Sequence, residues 1–362
     1  MESTTWKFLV LFVYTPNNKF RKDSLRKNLM VRLTNTILAL ALVSLAVAGA
    51  NGQKIDNKTE ISLEASYQRP VLNYSLNLQA VLFDAVDETV SKHQNEGFEA
   101  TDISATLIDL RDPKNLRMAH VAGENRIYPA SVVKMFYMAA LHRQLQDGKV
   151  KMTSELERGL KDMIVDSSNE ATQYILDVLT GTSSGAELPQ AEFDEWQFKR
   201  NRVNRYFTSM GYQNININQK TFCEDAYGIE QQSRGYKGRN RNMLTTNATA
   251  RLMAEIALGK FVTPERSSMM MDLMKRDPFA ETKDQEDQAH GFTGKALIDK
   301  KLVGAKLWSK AGWTSKTRHD AAYIETPDGL KFVLVVYTKN HATKREPIPM
   351  IAGKIIDRLS VK

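Results

Sequence analysis

What most constrains this chain is where its strand-forming segments fall. They sit at the two ends of the folded region, with a long helical stretch between them. At the near end, Ile103–Leu110 (ISATLIDL) reads as a strand, Asp112-Pro113 marks a turn, and Arg117–Val121 is a hairpin partner. At the far end, Leu307–Thr314, Ala321–Glu325 and the very apolar Leu330–Thr338 (LKFVLVVYT) read as strands. Pro327-Asp328-Gly329 supplies turn chemistry between the last two. Between these groups, helical spacing covers Ser131–Leu145, Ser154–Ile164, Ser168–Leu179, Ala248–Leu258 behind a Thr246 cap, and 264–275 with Pro264 near its start. One more helix precedes the strands, Leu76 to about Lys92 with Gly97 beyond it, and another, Ile348–Leu359, closes the chain. Short strands must pair to be stable. The spacing therefore predicts an α+β fold in which one sheet is made from both chain ends, the terminal helices cover a face of it, and a helical subdomain of about 131–294 is inserted.

The N-terminus carries a different signal. Ile37–Val47 (ILALALVSLAV) follows Arg32 and the basic residues Arg21, Lys22, Arg26 and Lys27, and precedes Ala48-Gly49-Ala50. Charged, apolar and small-residue regions in that order are those of a secretory signal peptide. The apolar run is short for a stable membrane span. Met30 stands where such a peptide would naturally begin. Residues 1–50 thus read as an N-terminal extension and signal peptide, 51–75 as a polar linker, and 76–362 as the folded domain, with export to the periplasm or the medium expected. A hydrophobic content of 42% with 25% charged residues is that of a globular chain. The net charge of +8 is spread along the sequence, which reads as a basic soluble surface. The run Lys237, Arg239, Arg241 has only Tyr236 as an aromatic neighbour and reads as a solvated loop, so no nucleic-acid partner is expected.

Three short patterns occur in order: Ser131-x-x-Lys134, Ser167-Ser168-Asn169 and Lys310-Ala311-Gly312. Each alone is cheap, since Ser24-x-x-Lys27 repeats the first and Ser75-x-Asn77 the second. Their order and context carry the weight. A Lys three positions after a helix-start Ser lies on the same helix face. A hydroxyl needs a nearby base to become a nucleophile, and a helix N-terminus favours a developing oxyanion. Burial beside Lys310 would lower the Lys134 pKa and free its amine. Ser167 could relay a proton to a leaving nitrogen. Asn169 could hold a substrate amide, Lys310 a carboxylate, and Gly312 would let a substrate backbone approach its strand. The bland alternatives are that Ser131 caps a helix, Lys134 is solvated, and Asp-Ser-Ser-Asn-Glu is a capping cluster.

Together these motifs resemble those of the class A β-lactamase-like and penicillin-binding-protein-like serine hydrolases. The segments MIVDSSNEATQYIL, NMLTTNATARLMAEIALGKFVTPE and SKAGWTSKTRHDAAYIETPDGLKFVLVVYT carry the likeness beyond the motifs themselves. The resemblance implies one antiparallel sheet and a β-lactam, or a cell-wall peptide, as a small-molecule substrate. It implies Ser131 as the acylated nucleophile, Lys134 as base or relay, Ser167 as proton shuttle, and Asn169 and Lys310 with Gly312 as substrate contacts. The backbone N–H groups of Ser131 and Trp313 would form the oxyanion hole. It also implies no cofactor, no metal and a monomer. Two departures stand out. Ala311 replaces a hydroxyl residue, and the position of the family's deacylating Glu falls near Glu230, with Arg234 where an Asn is expected. Without such a base the acyl-enzyme would persist, which describes a penicillin-binding protein or an inefficient β-lactamase.

The remaining readings are a D-Ala carboxypeptidase or esterase with the same nucleophile, and a non-catalytic scaffold of the same fold. His319-Asp320 invites a Ser-His-Asp triad, although Ser-x-x-Lys chemistry needs no His. The six His residues lack metal-binding spacing. The single cysteine, Cys223, excludes an intramolecular disulfide and has no His near it in sequence.

Overall fold

The computed structural model describes residues 60–360; the signal-peptide reading lies outside them. Among the described residues no helix is long and apolar enough to cross a membrane. The strands are β1 (Asn73–Tyr74), β2 (Ile103–Asp109), β3 (Arg117–Val121), β4 (Lys275–Arg276), β5 (Lys306–Trp313), β6 (Thr317–Glu325) and β7 (Lys331–Lys339). They form one sheet in the order β1-β3-β2-β7-β6-β5-β4. Every pair is antiparallel except β1 with β3. The expected joining of the chain ends occurs at β2 and β7, where Ile103 pairs with Thr338 and Asp109 with Phe332.

The apolar run of β7 is explained by cover on both faces. Val333, Val335 and Tyr337 point into the core shared with the helical body. Phe332, Leu334 and Val336 point the other way, into a core with Leu82, Ile351 and Ile355. That second core lies under α1 (Leu76–His93) and α11 (Pro347–Leu359), the two terminal helices. Each fully buried side chain of this kind contributes roughly 1.5–3 kcal/mol, so β7 alone is a large part of what joins the ends.

The inserted body contains α2 (Val133–Gln146), α3 (Ser154–Lys161), α4 (Asn169–Thr180), α5 (Gln190–Arg200), α6 (Arg202–Ser209), α7 (Ile229–Gly235), α8 (Thr246–Ala257), α9 (Pro264–Met274) and the short α10 (Gly294–Asp299). Helix α2 is apolar on every side from Met135 to Leu141 and buried as far as Leu145, with Arg143 alone partly exposed over that length, as suits a central helix. Its position determines that Lys134 is buried too.

Several elements differ from the sequence reading. The stretch 182–240, polar and without helical spacing in the sequence, holds α5, α6 and α7, with Arg200 paired to Glu230 and Ser233 donating to Gln197 in the interior. Helix α8 is capped by Thr245, whose hydroxyl accepts from the Ala248 N–H, and Thr246 is already helical. Strand β6 begins at Thr317, four residues before the apolar pattern, because Arg318, His319 and Asp320 are buried in the sheet and bond to Gly291, Tyr128 and Thr293. The expected linker is docked from Glu60 onward. Glu60 pairs with Arg202 and Arg205, Glu64 with Arg143, and the Tyr67 hydroxyl with Glu255.

Candidate active site

Three elements distant in sequence meet where β5 passes the start of α2. Ser131 lies in a 3-10 turn, Ala130–Val132, that leads into α2. Ala130 before it has φ 47°, a left-handed conformation that strains an L-residue. No side chain caps either the turn or α2, so Ser131 is not spent as a cap. Its hydroxyl makes no hydrogen bond with another described residue.

Gly312 explains how the turn can sit there. A Cβ on Gly312 would stand 2.7 Å from the Ser131 nitrogen, 2.9 Å from the Val132 nitrogen and 3.0 Å from the Pro129 oxygen. The sequence reading reserved that space for substrate; in the structure the backbone of the Ser131 turn itself fills it.

Lys134 follows one helical turn later and is fully buried. Its amine donates to the Ser167 carbonyl, to the Ser167 hydroxyl at 3.3 Å and to Asn169 Oδ1 at 2.9 Å. All three acceptors are uncharged, and the Ser131 hydroxyl is not among them. Burial pulls the Lys134 pKa down to about 7, against the weaker pull of Glu170 and Cys223 in the other direction.

Ser167 has φ 60° and ends a π-helical turn, Asp162–Asp166. The capping of α4 falls to Ser168, whose hydroxyl accepts from the Ala171 N–H at 3.1 Å. The capping cluster therefore divides its work. Ser168 holds the helix, which leaves Ser167 and Asn169 to face the lysines.

Lys310, on β5, is also fully buried. Its amine donates to Ser167 Oγ at 3.0 Å, to Gln288 Oε1 at 2.6 Å and to the Ala311 carbonyl at 2.8 Å. Burial first, then the neighbouring cations Lys134 and Arg276, push its pKa well below the usual lysine range. Arg276, whose pKa burial lowers to about 10, donates to the Ile164 carbonyl. Ala311 is buried in the core beneath α1 and α11, on the opposite face of β5 from Lys310. Trp313 ends the strand half exposed, with its ring 5.6 Å from that of Phe292.

Glu230 does not fit the role suggested for it. Arg200 grips its carboxylate with both terminal nitrogens, at 2.7 and 2.8 Å, and the Ser184 hydroxyl donates at 2.9 Å. Burial raises the Glu230 pKa, but Arg200, Lys220 and Ser184 outweigh it and hold it below the ordinary value. A carboxylate so engaged is a weak base. The triad alternative fails as well. His319 Nε2 faces the Tyr128 carbonyl at 2.9 Å, and its Nδ1 receives the Thr338 N–H at 3.2 Å. Both ring nitrogens are thereby used, and burial lowers its pKa to about 4.

Two site residues lie in segments that gave no local signal. Gln288 lies between β4 and α10, in a stretch without helical or strand periodicity. Cys223, exposed, sits 3.5 Å from Asn169 Nδ2. Among the described residues no cluster of His, Cys, Asp and Glu could hold a metal ion.

A family model described as the beta-lactamase enzyme family matches residues 155–359, which takes in Ser167, Asn169, Glu230 and Lys310 and begins after Ser131. No curated protein matches the chain. Among solved structures, a β-lactamase from Sphaerobacter thermophilus is similar, with 18% identity and a TM-score of 0.53, over 76% of this chain and 95% of that one. PBP-A gives 18% identity and 0.53 over 80% and 98%. A β-lactamase from Xanthomonas campestris pv. campestris gives 15% and 0.54 over 79% and 100%. At these identities the likeness is one of fold.

Proposed function

Because this chain belongs to the beta-lactamase enzyme family, we propose that it is a serine hydrolase whose Ser131 is acylated by β-lactams. The observation that carries the reading is the junction of Lys134, Ser167 and Lys310, where two buried amines from elements far apart in sequence share one serine hydroxyl. A variant of PBP-A has been solved as an acyl-enzyme complex with penicillin G, which makes a penicillin the natural first probe.

In the proposed step, Ser131 Oγ bonds to the lactam carbonyl carbon and its proton passes to the Lys134 amine. With a pKa of about 7, a substantial fraction of that amine is neutral at neutral pH. The C–N bond then breaks, and Ser167 delivers a proton to the leaving nitrogen while Lys134 replenishes it. The carbonyl oxygen would rest between the N–H groups of Ser131 and Trp313. Support comes from the strand geometry. The Ala311 N–H points away from β6 to Gln288, so the Trp313 N–H, two residues on, points to the same open edge. The Ser131 nitrogen lies against Gly312 beside it.

The pairing of Glu230 with Arg200 favours slow deacylation, so the second reading, a penicillin-binding enzyme with a persistent adduct, is preferred to an efficient β-lactamase. The N-terminal pattern supports an exported enzyme. Intact mass of the residue 51–362 chain after mixing with penicillin G tests both. An adduct that forms, outlasts the mixing by many minutes and is absent from Ser131→Ala is expected. No adduct on the unaltered protein would sink the proposal, and an adduct that clears within seconds would restore the β-lactamase reading.

A further inference from the structure

Resting on that reading, we propose that Gln288 is a specificity-determining residue. It fills, from within the chain, the anchor on β5 where a ligand carboxylate would bind. A carboxylate oxygen at this site would accept from the Lys310 amine and from the neighbouring backbone N–H on the open edge of β5. Strand β4 covers that edge only as far as Trp308. Gln288 Oε1 takes both donors, Lys310 Nζ at 2.6 Å and the Ala311 N–H at 3.1 Å. With the Ser167 hydroxyl and the Ala311 carbonyl as its other acceptors, the Lys310 amine has no donor left.

The orientation of the carboxamide is dictated by its surroundings. Donors lie on one side, and on the other Nε2 donates to the carbonyls of Val165 at 2.8 Å and Ile164 at 3.2 Å. All four contacts of this buried group are satisfied. Displacing it would strand two carbonyls as well as the amine. The backbone around it is braced too. Just before it, Glu286 pairs with Arg318 at 3.0 Å. Just after it, Arg318 donates to the Gly291 carbonyl at 2.6 Å, and the Thr293 N–H donates to Asp320 at 3.1 Å. Gln288 is thus a fixed wall of the site. Lys310 serves Ser167, and a ligand's carboxylate gains nothing from it.

The test compares penicillin G with its methyl ester, which differ in charge at one position. Noncovalent binding is measured by calorimetry on Ser131→Ala, so that acylation plays no part. In that background the acid and the ester should bind within threefold of each other. Adding Gln288→Ala should open the anchor and favour the acid at least tenfold, as expected for a charge-assisted contact. Tenfold preference for the acid with Gln288 in place would overturn the proposal, and that arm needs no change at Gln288. So would a Gln288→Ala protein that melts cooperatively yet keeps the original ratio, or that binds neither compound. Acylation of the unaltered protein is read separately by mass. An adduct with no switch in the ratio leaves the function standing and removes this inference, and a switch without an adduct does the reverse.

Discussion

Two buried polar clusters stand in the same helical body and balance their charge in opposite ways. In the first, Arg200 and Lys220 meet Glu230 and Asp177, cation against carboxylate, with Ser184 and Thr182 filling the remaining bonds. In the second, Lys134 and Lys310 are equally buried, and their acceptors are carbonyls, a hydroxyl and carboxamides. Paired opposite charges offset one another's burial and lend rigidity. Buried amines without a carboxylate partner lose their proton more easily, which costs stability and makes a base available near neutrality. Burial marks both clusters, so burial alone does not find the chemistry; the missing counter-charge does.

The sharpest way to break this contrast is to replace one cation in each. Lys134→Met should lower the rate of Ser131 acylation by roughly 10²–10⁴-fold, the usual contribution of a general base, measured by mass against time. It should also stabilise the fold. The Lys134 pKa of about 7 lies below the unfolded value of about 10.4, so between those values the unfolded chain binds more protons and stability rises with pH. The cost is fully present below about pH 7. The variant should therefore melt above the unaltered protein at pH 7, with the gap closing toward pH 10. Acylation of the unaltered protein should fall about tenfold per unit as pH drops below 7. A destabilised Lys134→Met at pH 7 would mean the two clusters do not differ as argued.

Arg200→Met is the counterpart. It leaves Glu230 buried and short of its main partner, which should cost roughly 3–5 kcal/mol and lower the melting temperature on the order of 10 °C. The folded fraction should be acylated, and should lose its adduct, at the ordinary rates. If turnover changed while stability did not, Glu230 would return as a candidate base.

A smaller effect separates backbone fit from charge. Gly312→Ala brings a methyl against the backbone nitrogens of Ser131 and Val132. A displacement of the nucleophile by a fraction of an ångström to 1 Å should slow acylation up to about 10²-fold, with little change in the pH at which Lys134 titrates. Unchanged kinetics would show that the turn can move without consequence.

How far the sequence revealed all this follows the same division. Local patterns were legible: the 3.6-residue spacing of α2, the alternation of β7, and motif residues whose chemistry depends on near neighbours. What escaped were long-range polar pairings. Helix α5 looked like polar coil because nothing in its sequence says that Arg200 turns inward to Glu230, 30 residues away. Strand β6 was read four residues short because Arg318, His319 and Asp320 find partners in Gly291, Tyr128 and Thr293 from other parts of the chain. Gln288 escaped for the same reason, since a glutamine in a loop has no periodicity to announce it. Gly312 was noticed, but its neighbour was misjudged: the sequence offers a missing side chain and does not say which backbone takes the space.

The mildest test lies within the Ser-Ser-Asn turn. Ser168 caps α4 through the Ala171 N–H, whereas Ser167, one residue earlier, gives its hydroxyl to both lysines. Ser168→Ala removes one cap bond and should cost about 1 kcal/mol of stability, seen as a fall of a few degrees in the melting temperature. Ser167 keeps its left-handed backbone because the π-helical turn before it and the two amines beside it persist. The acylation rate should therefore stay within about twofold. Ser167→Ala reverses the pattern for the chemistry: no cap is lost, both lysines lose an acceptor, and acylation slows, whereas any fall in melting comes from the stranded amines. Equal effects of the two substitutions on acylation would show that the turn acts as one unit, and that capping and chemistry are not divided between adjacent serines.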